Sequence, residues 1–136
     1  MRLRDAITVT TDLFEHRTVQ PHFINPCCFG EDFATWLRGE LAPLRNTGFE
    51  LSEPIQEDYG WGLWARHDSD TFWIALGYCG EGPTEEPAEW VVSIDYDAGL
   101  NFIKRLFHKP DAQAFGLVRD RIRQSLEANP AIAIVS

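Results

Sequence analysis

Trp61-Gly62-Leu63-Trp64-Ala65-Arg66, then His67-Asp68-Ser69-Asp70, then Thr71-Phe72-Trp73-Ile74-Ala75-Leu76-Gly77-Tyr78-Cys79: two alternating runs flank one polar turn cluster. Alternation with period two and a turn between the runs spell a β-hairpin. A two-residue loop at Asp68-Ser69 and a four-residue loop over 67–70 give the same register. It sets Trp61 opposite Leu76, Leu63 opposite Ile74, Trp64 opposite Trp73 and Ala65 opposite Phe72. Because successive side chains point to opposite faces, the pairs divide. Trp61, Leu63, Phe72, Ile74, Leu76 and Tyr78 share one face, to which a following strand adds Trp90, Val92, Ile94 and Tyr96. The other face carries Gly62, Trp64, Arg66, Thr71, Trp73, Ala75 and Gly77, with Glu89, Val91, Ser93 and Asp95 beside them. The first set is a core; the second is too polar for a core and unusually aromatic for a solvent face.

Working outward, Ala6–Thr10 is β-branched and reads as a first strand. His16–Pro26 reads as irregular, punctuated by Pro21 and Asn25-Pro26. Phe33, Trp36, Leu37, Leu41 and Leu44 recur at helical spacing, which predicts a helix over 31–45. Pro43 should kink it or end it early, and Asn46-Thr47-Gly48 supplies a stop. Phe49–Gln56 alternates, although Pro54 confines it to an edge or a bulge. Glu89–Tyr96 is a further strand, preceded by the acidic loop Gly80–Pro87. Gly99–Phe107 fits either a strand extension or a helical turn. Phe115, Val118, Ile122 and Leu126 form the stripe of a second helix, from Pro110 or Asp111 to Ala128. Ala131–Val135 reads as a buried final strand.

The order β-α-β-β-β-β-α-β specifies an α+β fold, a two-layer sandwich. A mainly antiparallel sheet of about five or six strands would carry both helices on one face. A ferredoxin-like β-α-β-β-α-β core enlarged by one hairpin is one topology that fits. The 136 residues make one domain, of a size that needs no disulfide or metal to hold it. Three cysteines, two of them adjacent at Cys27-Cys28, are expected in a reducing compartment. The opening Met1-Arg2-Leu3-Arg4-Asp5 lacks the pattern of a secretory leader, and no apolar run approaches a membrane span. A cytoplasmic location is the expectation.

Charge is uneven. The net charge is −9, but residues 50–97 hold 12 acids against only Arg66, a local −11, and the rest carries +2. Such a field repels phosphate backbones and attracts basic partners. Nucleic acid is therefore disfavoured, the basic group Lys104, Arg105, Lys109, Arg119, Arg121 and Arg123 being the one feature in its favour. Solubility alone is the simplest role for the acids.

Three uses of the aromatic face follow. Trp64 and Trp73, with Arg66, Glu89 and Asp95, would form a binding platform for a flat or cationic group. The same face would serve as a homodimer interface. Or the pair merely stabilises its hairpin, with the 80–87 loop or the N-terminal segment folded over it.

Catalytic signals are weaker. Glu57-Asp58-Tyr59-Gly60-Trp61-Gly62 has the composition of an active-site string. Yet strand neighbours point apart, so Glu57 and Asp58 do not make an acid–base pair, and its glycines suit a bulge or a tight turn into the strand. His22, Cys27, Cys28 and Glu31 would support a thiol–imidazole pair or a metal site, although their spacing matches no known pattern, and a small thiol- or carboxylate-dependent enzyme using His22, Cys28 and Glu57 is the enzymatic alternative. Small thiols more commonly serve as buried packing residues. His67 and His108 read as solvated. No GxSxG, HExxH, Walker or GxGxxG pattern occurs, and no metal, cofactor or catalytic residue is assigned.

The run Glu57–Trp64 resembles a stretch found in small uncharacterised bacterial proteins, a likeness that implies no activity. In composition, a small acidic α+β domain is similar to the bacterial immunity proteins, which mask basic toxin domains. That resemblance implies a non-enzymatic, antitoxin-like binding protein with a basic protein partner.

Overall fold

The 61–79 hairpin forms as its alternation dictates. In the computed structural model, which describes residues 3–99 and 102–135, β4 (Gly60–His67) pairs with β5 (Asp70–Tyr78). Trp61 faces Leu76, Leu63 faces Ile74, Trp64 faces Trp73 and Ala65 faces Phe72. The connection is the two-residue loop, in which Asp68 takes φ 53°, a conformation that Asp tolerates better than most residues. A third strand, β6 (Ala88–Asp97), continues the meander, and β1 (Arg4–Thr11) lies antiparallel to it.

Pro54 acts more strongly than a bulge. The expected strand over 49–56 is divided into β2 (Phe49–Leu51) and β3 (Ile55–Glu57), which pair with successive halves of β4. The sheet therefore has seven strands in the order β2-β4-β5-β6-β1-β7, with β3 beside β4. Strand β7 (Ile132–Ile134) sits at the far edge against β1. Only its Ile132 is buried, so it is an edge strand and not the buried one expected. Taken alone, β1, β5, β6 and β7 stand in the order β7-β1-β6-β5, the ferredoxin-like arrangement, and the β2/β3–β4 hairpin extends it at one side.

Helix α1 (Glu31–Leu41) stops where Pro43 demands, passing into a 3-10 segment (Ala42–Thr47) that ends on Gly48 at φ 90°. The ambiguous 99–107 stretch contains a short helix, α2 (Phe102–Phe107). Helix α3 (Ala112–Ala128) begins at Asp111, whose carboxylate accepts from the backbone N–H groups of Gln113 and Ala114. Both long helices cover the same face of the sheet. Phe33 of α1 meets Trp90 with ring centroids 5.5 Å apart, and Phe115 of α3 meets Phe72 at 5.9 Å. Leu63, Ala65, Phe72, Ile74, Leu76 and Trp90 are completely buried between the layers. Tyr96 lies on this face and is partly buried. The fold is thus the two-layer α+β sandwich that the sequence implies.

Candidate functional site

Among the described residues, no helix lies on the opposite face of the sheet. Trp64 and Trp73 stand there as a cross-strand pair, each half-buried, on neighbouring strands of the hairpin. The two rings make different contacts. The Trp73 ring lies over Gly62, so close that a Cβ at position 62 would come within 2.5 Å of its Cζ2. Its Nε1–H donates to the Tyr59 hydroxyl at 2.8 Å. The Trp64 ring instead lies under Arg66, whose guanidinium carbon is 4.5 Å from the ring centroid. A recess of ≈ 420 Å³ at the pair is lined by Glu57, Tyr59, Trp64, Thr71, Trp73 and Asp97.

Local sequence makes this arrangement. Glu57 ends β3, and Asp58-Tyr59 turn the chain into Gly60 at the head of β4. Gly60 has φ 149°, and a Cβ there would meet the carbonyl oxygen of Leu76 at 2.5 Å. Only glycine satisfies that close approach. The tight turn delivers Tyr59 to Trp73, while Asp97, paired in register with Thr71, rises on the other side. Burial pushes the Tyr59 phenol up from its ordinary value, although the bond from Trp73 offsets part of this; the ring stays neutral beside the carboxylates.

Of the residues expected to share the site, Trp64, Trp73 and Arg66 come together, and Asp95 pairs in register with Trp73. Asp95 also lies 4.0 Å from the Arg4 guanidinium. Glu89 does not join them. It stands six residues earlier on β6, about 20 Å away along the strand, beside Cys79. Glu57, Tyr59 and Asp97 take its place. Their membership depends on where the Asp58-Tyr59 turn falls and on how far β6 runs past Tyr96, neither of which alternation alone specifies.

The two segments expected as a cover lie elsewhere. His16, fully buried, places Nδ1 2.9 Å from the Thr84 carbonyl oxygen and Nε2 2.8 Å from Asp12. Thr84 N–H in turn donates to the His16 carbonyl, and Arg17 bridges Asp12 and Glu85. These bonds clamp the 80–87 loop to the N-terminal segment, whose Phe14 stacks on Phe33 at 4.1 Å on the helix side. Sequence reasoning missed this clamp, since nothing in an irregular stretch announces a buried histidine.

The thiol–imidazole pair does not assemble. The His22 imidazole is engaged by Glu31 at 2.7 Å. Cys28 is buried, and its thiol donates to the backbone carbonyl of Glu57 at 3.2 Å. Burial pushes that thiol up from its ordinary value, which suppresses the nucleophilic thiolate. Nor is His108 simply solvated: it meets the buried carboxylate of Asp70 at 2.6 Å, and Asp70 also accepts from Asp111 N–H at 2.8 Å. This joint fastens the α2–α3 connection to the start of β5. His67 is half-buried against Phe49, ring centroids 4.8 Å apart. Beside the joint, at the end of the helix layer, a larger cavity of ≈ 770 Å³ is lined by Leu3, Tyr96, Leu106 and Phe107 among others.

Most described members of the basic group are occupied. Arg123 makes a two-pronged contact with Asp5 at 2.7 and 2.9 Å, Arg121 donates to the Glu40 carbonyl, and Arg119 pairs with Asp120. Lys104 bonds the Ser69 carbonyl, Lys109 is exposed, and the Arg105 side chain lies outside the described residues. No helix among the described residues is long and apolar enough to cross a membrane. Comparison with protein-family models, curated proteins and solved structures finds no match to this chain.

Proposed function

We propose that this chain is a non-enzymatic, cytoplasmic binding protein whose outer sheet face docks a basic protein, in the manner of an immunity protein masking a toxin domain. One observation carries the reading: a half-buried tryptophan pair stands in register on the sheet face that no described helix covers, flanked by Glu57, Asp95 and Asp97. Partly exposed aromatics supply large contact area at small entropic cost and dominate the energetics of many interfaces. The net −9 of the chain would attract a basic partner, and Glu57, Asp95 and Asp97 would orient it at this face and raise the association rate. The engagement of the α3 arginines within the fold gives further support to a protein partner over nucleic acid.

The test is capture from extracts of the native host, with the immobilised chain as bait. A basic protein should be recovered, with retention that falls as salt is raised. Trp64→Ala should weaken binding by about 2 kcal/mol, a factor of roughly 30. Recovery indifferent to both salt and Trp64→Ala would overturn the reading. So would light scattering that shows a dimer dissolved by Trp64→Ala, since the face would then serve self-association.

A further inference from the structure

The recess between the two indoles has a more specific chemistry than an acidic surface, and the inference here rests on the docking face proposed above. The floor and walls are aromatic: Trp64, Trp73 and the neutral phenol of Tyr59. Glu57 contributes a carboxylate from β3, and Asp97 another from the end of β6. A strongly hydrated ammonium and a planar guanidinium both answer negative charge. Only the guanidinium also stacks flat on an indole while its edge N–H groups reach sideways to carboxylates. The protein already makes this contact within itself, since Arg66 lies 4.5 Å above the Trp64 ring.

We propose that the recess lined by Trp64, Trp73, Tyr59, Glu57 and Asp97 is a guanidinium cage that receives one arginine side chain of the docking partner. Gly62 permits the Trp73 ring to lie against the sheet at one side of the recess, because any side chain there would push it off. The bond from Trp73 Nε1–H to the Tyr59 hydroxyl then fixes the indole beside the recess that both residues line. The carboxylates at the two sides would accept from the guanidinium edge, so charge and planarity are both read.

The cage is testable without the partner. Nα-acetyl-arginine methylamide is titrated into the ¹⁵N-labelled chain, following the indole N–H signals of Trp64 and Trp73, assigned through Trp64→Phe and Trp73→Phe. The matched lysine and citrulline amides serve as comparisons. Saturable shifts of the Trp64 and Trp73 signals are expected with the arginine probe in the millimolar range, weaker with lysine and absent with the uncharged citrulline. The double variant Glu57→Gln/Asp97→Asn should bind the arginine probe roughly three- to tenfold more weakly. Equal responses to arginine and lysine, a response to citrulline, or undiminished binding by the double variant would each overturn the cage. Capture of a basic protein that needs Trp64 but not Glu57 and Asp97 would also remove the cage while leaving the docking face in place. Loss of Trp64-dependent capture with the probe still bound would remove the docking face instead.

Discussion

At the scale of single residues, Gly62 decides the geometry of the site. An alanine Cβ would lie 2.5 Å from the Trp73 ring and 2.6 Å from the Ile74 carbonyl oxygen, a backbone atom that cannot swing aside. Gly62→Ala should therefore cost about 1–3 kcal/mol, as overpacking does, and displace the Trp73 indole N–H signal. A urea midpoint and a spectrum both unchanged would contradict this account of the recess. Cysteine reactivity makes a second residue-scale prediction. Desolvation pushes both thiols up, so access decides: iodoacetamide on the native protein should modify exposed Cys79 and spare buried Cys28. A fast-reacting Cys28 would reopen the thiol-enzyme alternative. Trp64 and Trp73 were legible in the sequence because alternation assigns a strand residue to its face. Tyr59 was not, since a turn residue has no face until the turn is built, and His16 was not, since the Thr84 carbonyl it bonds lies in a loop 68 residues away.

Among the elements, local chemistry sets most boundaries. Pro43 ends α1, and Pro54 separates β2 from β3, because each lacks the N–H that a continuing helix or ladder requires. Asp111 caps α3 through two backbone N–H groups. Asp111→Ala should lower stability by about 1 kcal/mol, read as a shift in urea midpoint with an unchanged slope; no shift would mean that the cap contributes nothing. The 61–79 register was readable because a two-residue loop at Asp68-Ser69 and a four-residue loop over 67–70 give the same pairing. Strand β7 was misread for a physical reason. An apolar run such as Ala131–Val135 looks the same whether both faces are covered or only one, and here Ile134 and Val135 remain exposed at the sheet edge. The break at Pro54 was half legible: proline announces an interruption, but not that both pieces will pair with the same strand.

On the scale of the whole molecule, both layers carry mixed charge, and ion pairs tie them together. The sheet face carries Glu57, Asp95 and Asp97, and α3 carries arginines tied back into the fold. One of these ties links the layers: Arg123 of α3 grips Asp5 of β1. The hydrogen bonds from Arg123 hold the Asp5 carboxyl below its ordinary value of 3.8, against the opposing effect of burial. A carboxyl depressed in the folded state stabilises above its unfolded value, and that contribution disappears as pH falls through the folded value. Asp5→Asn should thus be less stable than the wild type at pH 7, and the difference should shrink below about pH 4. A difference equally large at pH 3 and pH 7 would show that the loss has another origin. Asp12, depressed by the bonds from Arg17 and His16, adds to the same acid-side loss.

The central claim is that the sheet face, and not the helix face, is where this protein meets its partner. The most direct measurement is calorimetric titration of the captured basic protein against three forms: wild type, Trp64→Ala/Trp73→Ala, and Leu117→Ala, the last altering an exposed apolar side chain of α3. The account expects the double variant to lose affinity by a factor of roughly 30 or more, with Leu117→Ala indistinguishable from wild type. Equal affinity for the wild type and the double variant, or a loss confined to Leu117→Ala, would contradict it.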